Sequence, residues 1–190
     1  MWPGHRERAG ATLAETLVYS LLLLFVLGVV YSVLVMGLRS YRSAERNAQA
    51  QHEAMVAVAR MVEEIAGSPE AGTRVEPQAI LILSPRTAGG DLQYDAAGRL
   101  LWQKYVCFYR AADGRLLRKE KALAPTPDIP PTLPAPSTLI ADEALPTSVV
   151  ARDISALSFA AGSGVRLSVT ATSPDGEASV TVSSAVAFRQ

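Results

Sequence analysis

Glu15 is the first residue in this chain whose chemistry needs explaining. Its carboxylate stands beside Thr16-Leu17-Val18, at the edge of a long apolar run. A carboxylate inside hydrocarbon costs several kcal/mol unless it is paired or held at the interface. Two compatible roles are open. Thr12 followed three residues later by Glu15 fits the S/T-x-x-E capping box, with Thr12 as N-cap. Alternatively, Glu15 is placed to meet a cationic partner in an assembly. Spacing alone favours the cap.

The other candidate groups do not form a catalytic centre, so the expectation is that the chain is not an enzyme. His5 precedes the apolar run and His52 lies on a predicted helix, which gives no histidine pair for zinc. Cys107, the single cysteine, sits among Trp102, Tyr105, Val106, Phe108 and Tyr109. It reads as a small buried hydrophobe, because no nearby base would activate the thiol. Asp175-Gly176-Glu177 offers two carboxylates in one turn, short of the roughly six to eight oxygens that calcium takes. Gly89-Gly90 has no phosphate-loop pattern around it. No metal or cofactor is expected.

The element that positions Glu15 is the apolar run itself. Thr16 to Leu38 is 23 residues without a charge. Roughly 20 apolar residues cross a bilayer as a helix, and this run has no polar face that would suit a buried globular helix. A cleaved secretory signal fits poorly. Its apolar stretch is roughly 7–15 residues long and ends at small residues. Here Arg39 and Arg42 follow the run, and Ala48-Gln-Ala50 lies well beyond it. Basic residues stand on both sides, Arg6 and Arg8 before and Arg39, Arg42 and Arg46 after, so flanking charge does not set orientation. Over the whole chain 18 basic residues balance 18 acidic ones. Nothing in that balance calls for nucleic acid as a partner.

Ala9-Gly10-Ala11-Thr12-Leu13-Ala14-Glu15-Thr16-Leu17 resembles the processing motif of type IV prepilins. That motif is a short charged leader ending in Gly, then an apolar residue, Thr-Leu, one more residue and Glu, with a long apolar helix directly after. Gly10 matches the residue before the cut, and Glu15 the fifth mature residue. Ala11 stands where Phe or Met is usual, Ala14 replaces a branched residue, and Tyr19 interrupts the aliphatic run. The resemblance implies cleavage between Gly10 and Ala11 by a prepilin peptidase, followed by N-methylation of Ala11. It further implies that Glu15 pairs with the α-ammonium of Ala11 on a neighbouring subunit, which would set subunit register. Two such charges stabilise each other most where water is scarce.

Beyond the span, Tyr41, Ala44, Ala48, Met55, Ala59, Val62 and Ile65 recur at three- and four-residue spacing and predict an amphipathic continuation. Arg42, Arg46, Glu53, Arg60, Glu63 and Glu64 fall mostly on other faces. Gly67-Ser68-Pro69 ends the helix. Residues 75–123 read as strands: the apolar run Ala79–Leu83, then a meander at roughly 91–95, 99–110 and 115–121. Tyr94-Asp-Ala-Ala-Gly98-Arg-Leu-Leu101 echoes Tyr109-Arg-Ala-Ala-Asp-Gly114-Arg-Leu-Leu117, each predicting a Gly turn between strands. Half of the 12 prolines lie in 125–136, which predicts an extended surface loop at about 124–137. Three final strands are expected: Val149 to Phe159, an alternating stretch around Val165–Val169, and another from Val180 to Phe188, with Ser173-Pro-Asp-Gly176 as a turn.

The predicted fold is α+β, with a long N-terminal membrane-spanning helix packed on an antiparallel sheet domain. Residues 1–10 form the leader, 11–38 the transmembrane half of the helix, 39–66 its amphipathic half, and 67–190 the β-rich domain. With the Trp102–Arg110 strand, Ala57–Ile65 and Ser183–Arg189, the pattern is similar to J-type pseudopilins and PilW-like minor pilins. The resemblance implies a structural subunit of a type IV pilus-like or type II secretion filament. Its implied partners are the lipid bilayer, other pilin or pseudopilin subunits, the peptidase and an inner-membrane assembly platform. Its implied place is the bacterial inner membrane, single-pass, with the C-terminal domain periplasmic or extracellular, before transfer to the filament. The large β domain and the absence of a terminal cysteine pair favour a minor subunit. Glu15 argues against the pseudopilin class that lacks it. The competing expectation is a single-span anchored β domain that binds a ligand or partner without polymerising.

Overall fold

The computed structural model describes residues 13–188. The chain divides into two compact units, Met1–Ala44 and Glu45–Gln190, and one helix, α1 (Leu13–Ala66), contributes to both. In the first unit the helix is apolar all round, and the residues from Leu13 to Leu38 are exposed except Val35, which is half-buried. It is long and apolar enough to cross a membrane.

The second unit is α+β with two antiparallel sheets. Five strands, β1 (Thr73–Glu76), β2 (Ala79–Ser84), β3 (Lys104–Arg110), β4 (Leu116–Ala122) and β5 (Thr147–Ala151), pair in chain order. Three more, β6 (Ile154–Ala161), β7 (Gly164–Thr172) and β8 (Ser179–Ala187), form the second sheet. Successive side chains of a strand point to opposite faces. In β2 and β3 this puts Ile80, Ile82, Val106 and Phe108 with Ala54, Ala57, Met61 and Ile65 of α1. Leu81, Leu83, Tyr105 and Cys107 enter a second, smaller core with Trp102 and Leu139. β2 is therefore buried on both faces, which is why its sequence is continuously apolar rather than alternating. The second sheet buries one face. Leu157, Phe159, Val165, Leu167 and Val169 join the main core, while Ser168 bonds Ser183 at 3.0 Å and Thr170 bonds Thr181 at 2.9 Å on the other face.

Four expectations need correction. The buried stripe of α1 is Ala50, Ala54, Ala57, Val58, Met61 and Ile65, rotated about one residue from the expected set. Tyr41 and Met55 are 69% and 50% exposed. Alanines bring the helix close to the sheet, so bulk was a poor guide to phase. The segments 91–95 and 99–103 make only isolated bridges, Arg86 with Leu92 and Tyr94 with Leu100, so neither is a strand of the sheet, and β3 pairs with β2 instead. The stretch expected as one strand from Val149 to Phe159 is two, β5 and β6, in different sheets. Asp153 breaks it with a φ of 57°, in the left-handed region that few non-glycine residues adopt. β1 was not expected at all.

The echoed turns are alike in structure. Asp95 and Asp113 each accept from the amide two residues on, and Gly98 and Gly114 take φ of 76° and 81°. The proline-rich segment is irregular to Ala135 and then starts a short helix, α2 (Pro136–Ala141), with Pro in its first turn. Leu133, Leu139 and Ile140 cover the outer face of β2 and β3. Lys119 is buried, and its ammonium donates to the carbonyls of Ile140 at 2.7 Å and Asp142 at 2.8 Å. Those carbonyls close α2, and a cation suits a helix C-terminus.

Candidate functional site: the exposed helix and its polar tethers

Gly10, Ala11 and Thr12 lie outside the described residues, so the cleavage pair and the N-cap carry no geometry. Glu15 lies in the first turn of α1 and is exposed, where a negative charge suits the helix N-terminus. The serine and threonine hydroxyls along the apolar stretch are satisfied within the helix. Thr16 donates to the Leu13 carbonyl at 2.9 Å, Ser20 to Thr16 at 2.7 Å and Ser32 to Gly28 at 2.8 Å. Such back-bonding removes most of the cost of placing a hydroxyl in hydrocarbon. The surface that remains is almost wholly apolar, and a patch of that extent on a protein marks a bilayer or a partner.

Within the second unit, three charged residues of α1 reach into the β structure. The Arg46 guanidinium donates to Asp175 at 2.6 Å and closely to Glu177, both in the turn between β7 and β8. Glu53 accepts from the Arg152 amide at 2.8 Å. Glu64 accepts from Arg118 at 2.7 Å and from the Ser84 hydroxyl at 3.0 Å. Arg118 also bonds Glu120, which bonds Lys104 at 3.0 Å. The result is a four-membered, charge-balanced chain from α1 to β3. The sequence pattern put Arg46, Glu53 and Glu64 mostly on faces other than the apolar stripe. Their spacing of seven and eleven residues, near whole helical turns, was the available signal that they share a side.

The acidic turn weighed for calcium thus already holds a guanidinium. The Asp175 carboxyl is held below its ordinary 3.8, first by the Ser173 hydroxyl at 2.6 Å and then by the Glu177 amide and the charge of Arg46. Among the described residues no three His, Cys, Asp or Glu side chains gather to hold a metal ion. Cys107 is fully buried, and burial pushes its thiol up to about 12. A thiol so placed keeps its proton at neutral pH. His52 is exposed on α1.

Comparison with models of known families, with curated proteins and with solved structures finds no match for this chain.

Proposed function

We propose that this chain is a structural subunit, a minor pilin or pseudopilin, of a type IV pilus-like or type II secretion filament. The observation that carries this reading is the order of parts at the N-terminus. The charged residues Arg6, Glu7 and Arg8 precede Gly10, Glu15 follows Gly10 by five residues, and an exposed apolar helix runs on directly.

In this reading a prepilin peptidase cuts between Gly10 and Ala11 on the cytoplasmic side and N-methylates Ala11. The bilayer holds the helix until assembly, when helices of other subunits replace lipid around it. Leaving one apolar solvent for another costs little, so packing and polar pairing decide which neighbours are accepted. The ammonium of Ala11 and the carboxylate of Glu15 on adjacent subunits supply that pairing. The α+β unit rides on the second half of α1 and is displayed outside the membrane. Its polar tethers support the reading, because a subunit extracted from the membrane must keep its domain fixed to the helix that is moved. No reaction is assigned to the chain.

The experiment is to shear filaments from cells of the native host and probe them for this chain. Wild-type protein should be present. Glu15→Ala should insert in the membrane normally and fall at least about tenfold in the filament fraction, the scale of one lost partly buried ion pair. Absence of the wild-type chain from any filament would favour the anchored binding domain instead.

A further inference from the structure

β4 and β5 are antiparallel neighbours. Roughly two to five residues would join such a pair. Here residues 123–146 do so. Connections longer than about 12–15 residues in a compact domain are uncommon and often act as lids. This one crosses the outer face of β2, β3 and β4, which carries Leu81, Leu83, Tyr105, Cys107 and Lys119. Leu139 of α2 is buried there, and Leu133 and Ile140 are half-buried. No residue of the connection enters the main core beneath α1.

Little holds the connection down. Its six prolines at 125–136 have no amide to donate. Between Ala124 and Leu145, among the described residues, one backbone hydrogen bond ties it to the rest of the chain, from the Trp102 amide to the Pro127 carbonyl at 2.9 Å. Side chains supply the remainder. Lys119 donates to the Ile140 and Asp142 carbonyls, Tyr105 donates to the Thr132 carbonyl at 3.2 Å, and Arg99 pairs with Asp128 at 2.5 Å. None of these bonds belongs to the ladders that join β2 to β5. Lys119, a buried charge while covered, gains water as its two carbonyls leave, so opening strands no ion.

We propose that residues 124–145 form a hinged cover that lifts off the outer face of β2, β3 and β4 as one unit, while both sheets and the main core stay folded. Few backbone bonds and few buried side chains are the physical content of low local stability. Open, the chain presents an apolar sheet face of Leu81, Leu83, Tyr105 and Cys107 that the closed cover hides. The proposal does not depend on the filament reading.

Cys107 reports the opening, because it is fully buried in the core that the cover closes. The test alkylates the full chain in detergent micelles with iodoacetamide at pH 8 and follows the modified mass. Reclosing outpaces the reagent, so the rate reads the fraction open. The wild type should label at a small fraction of the unfolded rate. That rate should stay nearly flat in low urea, because lifting the cover exposes little surface, and should steepen only as global unfolding sets in. Leu139→Ala should speed labelling about thirtyfold or more, the scale of one lost buried leucine. Met61→Ala should change it less than about twofold, because Met61 stays in the main core with the cover open or closed. If Leu139→Ala fails to fold by circular dichroism, Tyr105→Phe, which loses its bond to Thr132, should speed labelling about threefold. Wild-type labelling that appears only with the global urea transition overturns the proposal. Acceleration by Met61→Ala as large as that by Leu139→Ala, or none by either cover variant, overturns it too.

Discussion

The Arg46 guanidinium reaches the Asp175 carboxylate at 2.6 Å, although the two residues lie 129 positions apart. The contact joins the first turns of the helix in the second unit to the last hairpin of the domain. Together with Glu53 at Arg152 and Glu64 at Arg118, it fixes the register of α1 on the β structure.

Arg46→Ala tests the outermost tether. Both side chains of the Arg46–Asp175 pair are about one-third exposed, so solvent screening keeps the loss of stability small. Urea unfolding of the full chain in micelles measures it. The sign of the acid dependence follows from the lowered carboxyl of Asp175. Its contribution is complete above the unfolded value of 3.8 and is lost as pH falls through the lower folded value. Added calcium should leave the wild-type midpoint unchanged, because the guanidinium already occupies both carboxylates of the turn.

Glu64 tests the inner tether. Its side chain is 13% exposed and that of Arg118 is 22%. Glu64→Ala takes one of two carboxylates from Arg118, which keeps Glu120, and removes the acceptor of the Ser84 hydroxyl, at a cost of about 1.5 kcal/mol. A double-mutant cycle with Arg118→Ala should show coupling of more than about 1 kcal/mol, as expected for groups in direct contact.

The phase of the helix stripe is tested by two methionines. Met61→Ala removes a fully buried side chain from the main core and should cost about 3 kcal/mol. Met55→Ala, at a half-exposed position, should cost less than about 0.5 kcal/mol. Equal effects would contradict the observed packing.

Cys107 should resist alkylation by iodoacetamide in the folded chain at pH 8 and react fully in urea. Its thiol lies at about 12 against an ordinary 9.0. The unfolded chain loses its proton first as pH rises, so this residue's contribution to stability is present below 9.0 and declines from there towards about 12.

Much of the fold was legible where local rules act alone. The uncharged run from Thr16 to Leu38 has no competing reading as a long helix, and β7 and β8 alternate cleanly because one face is solvated. The Gly98 and Gly114 turns were legible because positive φ and an aspartate acceptor leave a residue signature. What was missed depends on tertiary contact. Ala54 and Ala57 are core residues only because the sheet approaches closely. The division of 147–161 between two sheets depends on the backbone of Asp153, and β1 is held mainly by pairing with β2. At the candidate site, Glu15 was found from its neighbours in sequence. Arg46, Glu53 and Glu64 were not, because their partners are 20 to 131 residues away.

The central claim concerns processing at Gly10. Mass analysis of the N-terminus, on protein taken from its native host, tests it most directly. The account predicts a mature chain beginning with N-methylated Ala11. A chain that retains Met1 through Gly10 would contradict it.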